Sequence, residues 1–167
     1  NSNRQRLRRP IEAGVLTLRQ PRCGLLLAGG LLLALAQPAS ALEYRSTGRA
    51  AVLYDAPSTA AGKLAVAGGG LPLEVVVDTD AWVKVRDYTG RLAWIEKSAF
   101  GGARNVMVKA DTSTIRQQPH ADADIVFRAA RGVLLEVTGK PDAYGWLPVK
   151  HANGLAGWVP AHEVWGQ

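Results

Sequence analysis

Apolar and polar residues alternate in two short stretches of the chain, and each stretch is interrupted by a turn that contains glycine. Residues 82–95 read WVKVRDYTGRLAWI, and residues 146–159 read WLPVKHANGLAGWV. In both, a tryptophan opens the first segment, a polar turn of four residues ends at Gly90 or Gly154, and the second segment reaches another tryptophan. Alternation on both sides of such a turn predicts a β-hairpin. The chain therefore uses the same predicted hairpin twice.

The two hairpins belong to a longer internal repeat. Residues 51–57 align with residues 113–119, and residues 70–76 align with residues 132–138, both at an offset of 62. The hairpins themselves align at an offset of 64, because the turn before the second one is two residues longer. One loop insertion between colinear landmarks indicates a duplicated domain. Copies of about 60 residues are within the range of domains that fold alone.

Both copies are predicted to be all-β. Residues 71–77 and 133–137 alternate with a period of two, which places Glu74 and Glu136 on the outer face of a strand. We expect five short strands per copy, closed into a small barrel so that few sheet edges stay bare. The segments 57–69 and 119–131 are predicted to be long loops.

A glycine-rich linker over residues 101–105 is predicted to join the barrels, and the stretch 106–110 either ends the first barrel or opens the second. The fold class is thus two tandem small barrels after a cleavable signal peptide, with predicted boundaries at residues 1–41, 42–102 and 106–167.

The first 41 residues have the organisation of a secretory signal peptide. Residues 1–22 carry six Arg and one Glu, and residues 24–36 contain only Gly, Ala and Leu. This apolar run of 13 residues is short against the roughly 20 residues that span a bilayer. Ala39 and Ala41 supply the small residues of a cleavage site. We expect cleavage before Leu42, which leaves a periplasmic or secreted protein with no membrane segment.

Removal of the leader changes the charge and the available chemistry. The chain has 20 basic and 14 acidic residues, and residues 1–41 hold six and one of them, which leaves 14 and 13. A net charge of +1 gives little support to nucleic-acid binding, which needs a basic face. The single cysteine, Cys23, lies within the leader, so the mature chain offers no disulfide, thiol nucleophile or thiolate metal site.

Each copy resembles a bacterial SH3 domain, a small β-barrel common in exported and cell-wall proteins. The resemblance covers about residues 48–165, nearly all of the mature chain. The motifs that carry it are Leu53–Pro57, Gly70–Val77, Trp82–Val85 and Ala93–Ile95 in the first copy, and Arg116–Pro119, Gly132–Val137, Tyr144–Val149 and Gly157–Pro160 in the second.

The resemblance implies a non-catalytic binding module of the cell envelope that recognises peptidoglycan. The alternative is an adaptor whose paired barrels dock an envelope protein. Eukaryotic relatives bind proline-rich helices in an aromatic groove, but here that groove is incomplete. Glu96 and Ala99 replace its proline and last tyrosine in the first copy, and Arg116, Gln118 and Glu163 replace its aromatic residues in the second.

Five residues are the candidate binding residues. Strand alternation places Trp82 on one face with Lys84 and Arg86, and Trp146 on one face with Lys150. An aromatic beside cations forms either a ligand wall or structural cover at a barrel end, and the sequence leaves both open.

Three further tryptophans are interpreted as packing residues. Direct pairing across a turn of four residues places Trp94 beside Val83 and Trp158 beside Leu147, in the core, whereas a bulge would turn both outwards. Trp165 is expected to pack at the chain terminus.

Catalysis finds no support in the sequence. His120, His151 and His162 are too scattered for a metal trio, and Asp122 and Asp124 lack a calcium-loop spacing. We therefore expect no enzyme activity, no cofactor and no metal.

Overall fold

The alternating segments form two antiparallel sheets, one in each repeat. The computed structural model describes residues 42–167, so the predicted signal peptide, with Ala39 and Ala41, lies outside the described residues. No helix in this part of the chain is long and apolar enough to cross a membrane.

The first barrel comprises residues 44–100 and contains six strands in the order β1-β4-β5-β6-β2-β3. A single 3-10 turn, Lys97–Ala99, follows the last strand. The strands are β1 (Tyr44–Ser46), β2 (Ala51–Tyr54), β3 (Lys63–Ala67), β4 (Pro72–Asp78), β5 (Trp82–Arg86) and β6 (Leu92–Glu96).

The second barrel comprises residues 105–166 and repeats this order with one strand added, β13-β7-β10-β11-β12-β8-β9. Its 3-10 turn is Ala161–Glu163. The strands are β7 (Asn105–Val108), β8 (Thr112–Arg116), β9 (Ile125–Ala130), β10 (Leu134–Val137), β11 (Trp146–Lys150), β12 (Ala156–Pro160) and β13 (Val164–Trp165).

The prediction of all-β tandem barrels is confirmed, but the expected five strands per copy is too few. The two segments expected to be long loops contain β3 and β9, which pair with β2 and β8. Their residues alternate poorly, so their strand character comes from backbone pairing rather than from a buried face. Residues 106–110, which the sequence assigns to either barrel, belong to the second one, because β7 pairs with β10 and β13.

Each barrel encloses its own core of aliphatic residues. The inward positions of β5 and β6, and those of β11 and β12, are almost fully buried. The two cores are built mainly from Leu53, Ala67, Leu73, Val83, Val85, Ala93 and Ile95 in the first barrel, and from Val106, Val108, Ile115, Leu135, Leu147, Val149, Val159 and Val164 in the second.

The expected core position of Trp94 and Trp158 is wrong. Five residues, rather than four, separate the paired ends of the hairpin strands, so Trp94 lies opposite Lys84 and Trp158 opposite Pro148. Because side chains alternate along a strand, a shift of one residue moves a side chain to the other face. Both tryptophans are therefore half-buried on the outer face.

Glu74 also departs from expectation, whereas Glu136 is exposed as predicted. Glu74 is only 6% exposed. Its Oε1 atom accepts a hydrogen bond from Arg86 Nη1 at 2.6 Å, and Tyr44 lies opposite it on β1. Burial of a carboxylate requires such a charged partner. Burial and the neighbouring Glu74 carboxylate raise the pKa of the Tyr44 hydroxyl.

The two barrels contact each other through the end of the chain. The indole N–H of Trp165 donates a hydrogen bond to the carbonyl oxygen of Pro72 at 3.2 Å. The Trp165 ring packs edge-on against Tyr44, with ring centroids 5.1 Å apart. The backbone N–H of Asn105 donates to Ser46 Oγ at 2.9 Å. Trp165 is a packing residue, as expected, but its partners belong to the other barrel.

Candidate functional site

The two candidate tryptophans occupy equivalent places in the two barrels. Trp82 begins β5 and pairs with Glu96, and Trp146 begins β11 and pairs with Pro160. Both side chains are half-buried and point away from the core. Each lines a surface cleft.

The cleft in the second barrel has aromatic walls and a volume of about 340 Å³. Tyr144, two residues before Trp146, is 88% exposed. Pro160 lies on the neighbouring strand. We call this site the Trp146 cleft; it is lined by Thr112, Thr114, Arg116, Ala121, Tyr144, Gly145, Trp146, Pro160, His162 and Glu163.

A short loop holds the two aromatic residues in place. Asp142 Oδ1 accepts hydrogen bonds from the backbone N–H groups of Trp146 and Tyr144, at 2.7 and 3.0 Å. Gly145 between them has a φ of 82°, which favours glycine. The N–H of Ala161 donates to the Gly145 carbonyl at 2.8 Å, which ties this loop to the 3-10 turn.

One wall of the cleft is the outer face of β8. Ser113 and Ile115 are fully buried, so alternation turns Thr112, Thr114 and Arg116 outwards into the cleft. Arg116 Nη1 donates to the carbonyl oxygen of Ala123 at 2.6 Å, and this bond fixes the guanidinium group without neutralising its charge.

Glu163, on the 3-10 turn, also lines the cleft. The buried hydroxyl of Ser113 donates a hydrogen bond to Glu163 Oε2. The other oxygen, Oε1, is 4.0 Å from Nε2 of the exposed His162. The carboxylate is thus oriented by this hydrogen bond, and the Glu163 side chain is 28% exposed where it lines the cleft.

The chain matches the sequence profile described as "Bacterial SH3 domain" over residues 48–102 and 109–166, which together exceed half of its length. The chain belongs to the bacterial SH3 domain family. A comparison with curated proteins gives no significant match.

Two solved structures from Trichomonas vaginalis are similar to the chain at low identity. NlpC2 is 10% identical with a TM-score of 0.35, and the match covers 76% of this chain and 49% of that one. NlpC1 is 12% identical with a TM-score of 0.35, and the match covers 78% and 48%. The bacterial SH3 pair therefore spans about half the length of these structures.

The equivalent cleft in the first bacterial SH3 domain, the Trp82 cleft, has a different lining. Its volume is about 430 Å³, and its walls are mostly polar: Asp80, Ala81, Trp82, Glu96, Lys97 and Ser98. Trp82 packs edge-on against Tyr54, with centroids 5.4 Å apart. Lys97 Nζ is 2.7 Å from Asp78 Oδ1. Lys97 and then Arg45 hold the pKa of Asp78 below its usual value.

The cations predicted to accompany the tryptophans do not line the clefts. Lys84 Nζ lies 5.9 Å from the centre of the Trp94 ring, and Arg86 is bound to the buried Glu74. Lys150 is exposed opposite Glu136. Of the five candidate residues, the structure places only the two tryptophans in clefts.

Arg116, Tyr144 and Glu163 line the Trp146 cleft but are not among the candidate binding residues. They are far apart in sequence and meet only when β8, the loop before β11 and the 3-10 turn come together. The signal available was their position in the bacterial SH3 groove, where Arg116 and Glu163 replace aromatic residues. Among residues 42–167, no group of three or more His, Cys, Asp or Glu side chains is arranged to hold a metal ion.

Proposed function

We propose that the protein is an exported binding module of the cell envelope that binds peptidoglycan through the Trp146 cleft. Domains of this family are generally non-catalytic binding modules, which supports the general class. The observation that carries the proposal is the open aromatic wall of Trp146 and the 88% exposed Tyr144.

Flat aromatic rings suit a ligand made of sugars and short peptides. An indole or phenol ring gives a large apolar contact area with few rotatable bonds, so little entropy is lost when it binds. Pro160 extends this surface, and Thr112 and Thr114 add hydroxyl groups for polar contacts. A tyrosine with 88% exposure contributes little to the core, so the unbound protein does not need its ring for packing.

The Trp82 cleft is proposed as a weaker second contact. A tandem pair that engages one polymer gains affinity from effective concentration when both sites reach it. Lys84 and Lys150 lie outside the clefts on the same faces as the two tryptophans and would add salt-sensitive contacts to wall carboxylates, whereas Arg86 is paired with Glu74. The mature net charge of +1 argues against adsorption by bulk electrostatics alone.

The test is co-sedimentation with purified sacculi at low and physiological salt, for wild type, Trp146→Ala, Trp82→Ala and the double variant. Trp158→Ala is the matched control, because Trp158 is half-buried in the same barrel but does not line the cleft. Loss of a central aromatic residue costs about 2 kcal/mol, roughly a thirtyfold loss of affinity. We expect that loss for Trp146→Ala and a smaller one for Trp82→Ala.

Each result has a defined meaning. If wild type does not sediment, or if Trp146→Ala and Trp158→Ala sediment alike, the wall-binding proposal is wrong. The adaptor that docks an envelope protein then becomes the better description. Circular dichroism of each variant confirms that it is folded before its binding is compared.

A further inference from the structure

Opposite charges stand on different elements around the Trp146 cleft. Glu163 on the 3-10 turn is held by the buried Ser113 hydroxyl, and its side chain is 28% exposed. Arg116 stands at the end of β8. Within residues 42–167, Arg116 forms no ion pair, and its guanidinium group donates a hydrogen bond to the uncharged Ala123 carbonyl.

The two charges are separated along the strand. Glu163 is bound to Ser113, and Arg116 is three residues further along β8. At about 3.3 Å per residue, these positions are roughly 10 Å apart. Thr114 lies between these positions on β8, and the aromatic wall lines the same cleft. Among residues 42–167 no ion pair joins Arg116 and Glu163, so each charge is available to a ligand.

We propose that the Trp146 cleft selects a dipolar peptide segment, with an ammonium group at Glu163 and a carboxylate at Arg116. This inference rests on the proposed function, since it assigns the ligand chemistry of the same cleft. A guanidinium group has five N–H donors, so Arg116 can bind a carboxylate while it keeps its bond to Ala123. An ammonium group near Glu163 also benefits from the faces of the neighbouring aromatic rings.

The first barrel provides an internal contrast. Tyr54 stands at the position of Arg116, and Ala99 stands at the position of Glu163. The Trp82 cleft instead carries Asp80 and Glu96. Its cation, Lys97, is paired with Asp78, and no cation stands at the position equivalent to Arg116, so we expect dipolar selection only in the Trp146 cleft.

The test uses trialanine, whose extended chain places its terminal ammonium and carboxylate roughly 10 Å apart. Four forms are titrated into the full chain: unblocked, N-acetylated, C-amidated and doubly blocked. Binding is followed by the NMR shift of the Trp146 indole N–H. We expect the unblocked peptide to bind about threefold tighter than either singly blocked form, since exposed ion pairs are individually weak.

Two variants separate the two ends of the ligand. Glu163→Gln keeps an acceptor for the Ser113 hydroxyl and removes the charge, so it should abolish the preference for a free ammonium group only. Arg116→Gln should abolish the preference for a free carboxylate only. If Arg116→Gln is not folded, Arg116→Lys keeps the charge and should retain the preference. Equal binding of all four peptides to wild type, or a uniform loss in both charge variants, would overturn the inference.

The outcome is distinguishable from failure of wall binding. Sacculi that bind through Trp146 with no effect of either charge variant would refute the dipolar ligand and leave the proposed function in place. Selective binding of unblocked trialanine without binding to sacculi would support the dipolar ligand and refute the proposed wall binding.

Discussion

Replacement of Trp165 by alanine tests how strongly the two barrels are coupled. Trp165 belongs to the second barrel, but its side chain contacts Pro72 and Tyr44 of the first barrel. The lost hydrogen bond to the Pro72 carbonyl is worth about 1 kcal/mol. The lost edge-on contact with Tyr44 is worth about 1 kcal/mol. The part of the effect that depends on the first barrel is therefore about 2 kcal/mol.

The assay is equilibrium unfolding in urea at 25 °C. Trp165→Ala is compared with wild type in the full chain and in a protein of residues 104–167, which we predict to unfold cooperatively alone. We predict that a protein of residues 42–102 also unfolds cooperatively alone. The substitution should cost about 2 kcal/mol more in the full chain than in the isolated second barrel. With a slope of about 1.5 kcal/mol per molar urea, this is a midpoint difference of roughly 1.3 M.

Val159→Ala is the control, because Val159 lies in the core of the second barrel and should cost the same in both proteins. Equal costs of Trp165→Ala in the two proteins would refute the coupling. If residues 104–167 have no cooperative transition, the interface is indispensable, and two separately folding barrels is the wrong description.

Three other predictions follow from single features of the chain. The exported protein should begin at Leu42, and the intact mass of envelope-fraction protein checks this; a species that retains residues 25–36 would contradict cleavage. Proline-rich peptides should bind more weakly than about 10 µM, roughly −7 kcal/mol, in fluorescence titration, because aromatic anchors of the groove are missing. Asp78→Asn should destabilise the protein at neutral pH: Lys97 and Arg45 lower the folded-state pKa of Asp78, so its contribution is present above the ordinary value of 3.8 and disappears as the pH falls through the lowered one. The difference between the urea midpoints of the two proteins should therefore be smaller at pH 2.5 than at pH 7, and a constant difference would contradict the assignment.

The sequence predicts the tandem fold well because its signals are local and occur twice. Alternation with a period of two and glycine turns such as Gly90 and Gly154 identify the hairpins. A loop that is one residue longer shifts the register of a hairpin, and the alternation of apolar residues does not reveal the length of the loop. Trp94 and Trp158 therefore lie on the outer face rather than in the core that the sequence predicts.

The site is predicted less completely, for a different physical reason. Trp82 and Trp146 are recognisable because they open strands. Arg86 looked like a ligand-binding cation, but its charge is used by Glu74, whose burial depends on β1 and is not visible in the pattern of β4. Arg116 and Glu163 come together only through the closure of the barrel.

The two barrels differ in chemistry at positions that line the Trp146 cleft. The inward positions of the hairpins keep aliphatic residues in both copies, except that Gly157 replaces Ala93, so both barrels keep their core. Two positions of the Trp146 cleft change in charge: an aromatic residue and a small one in the first barrel become a cation and an anion in the second. Packing of the second barrel does not require this change, since Arg116 and Glu163 lie outside its core, whereas Tyr54 and Ala99 are buried in the first barrel. Charges that packing does not require are expected if the second barrel binds a part of the ligand that the first barrel does not. The paired positions are Tyr54 and Arg116, Asp80 and Tyr144, Glu96 and Pro160, and Ala99 and Glu163.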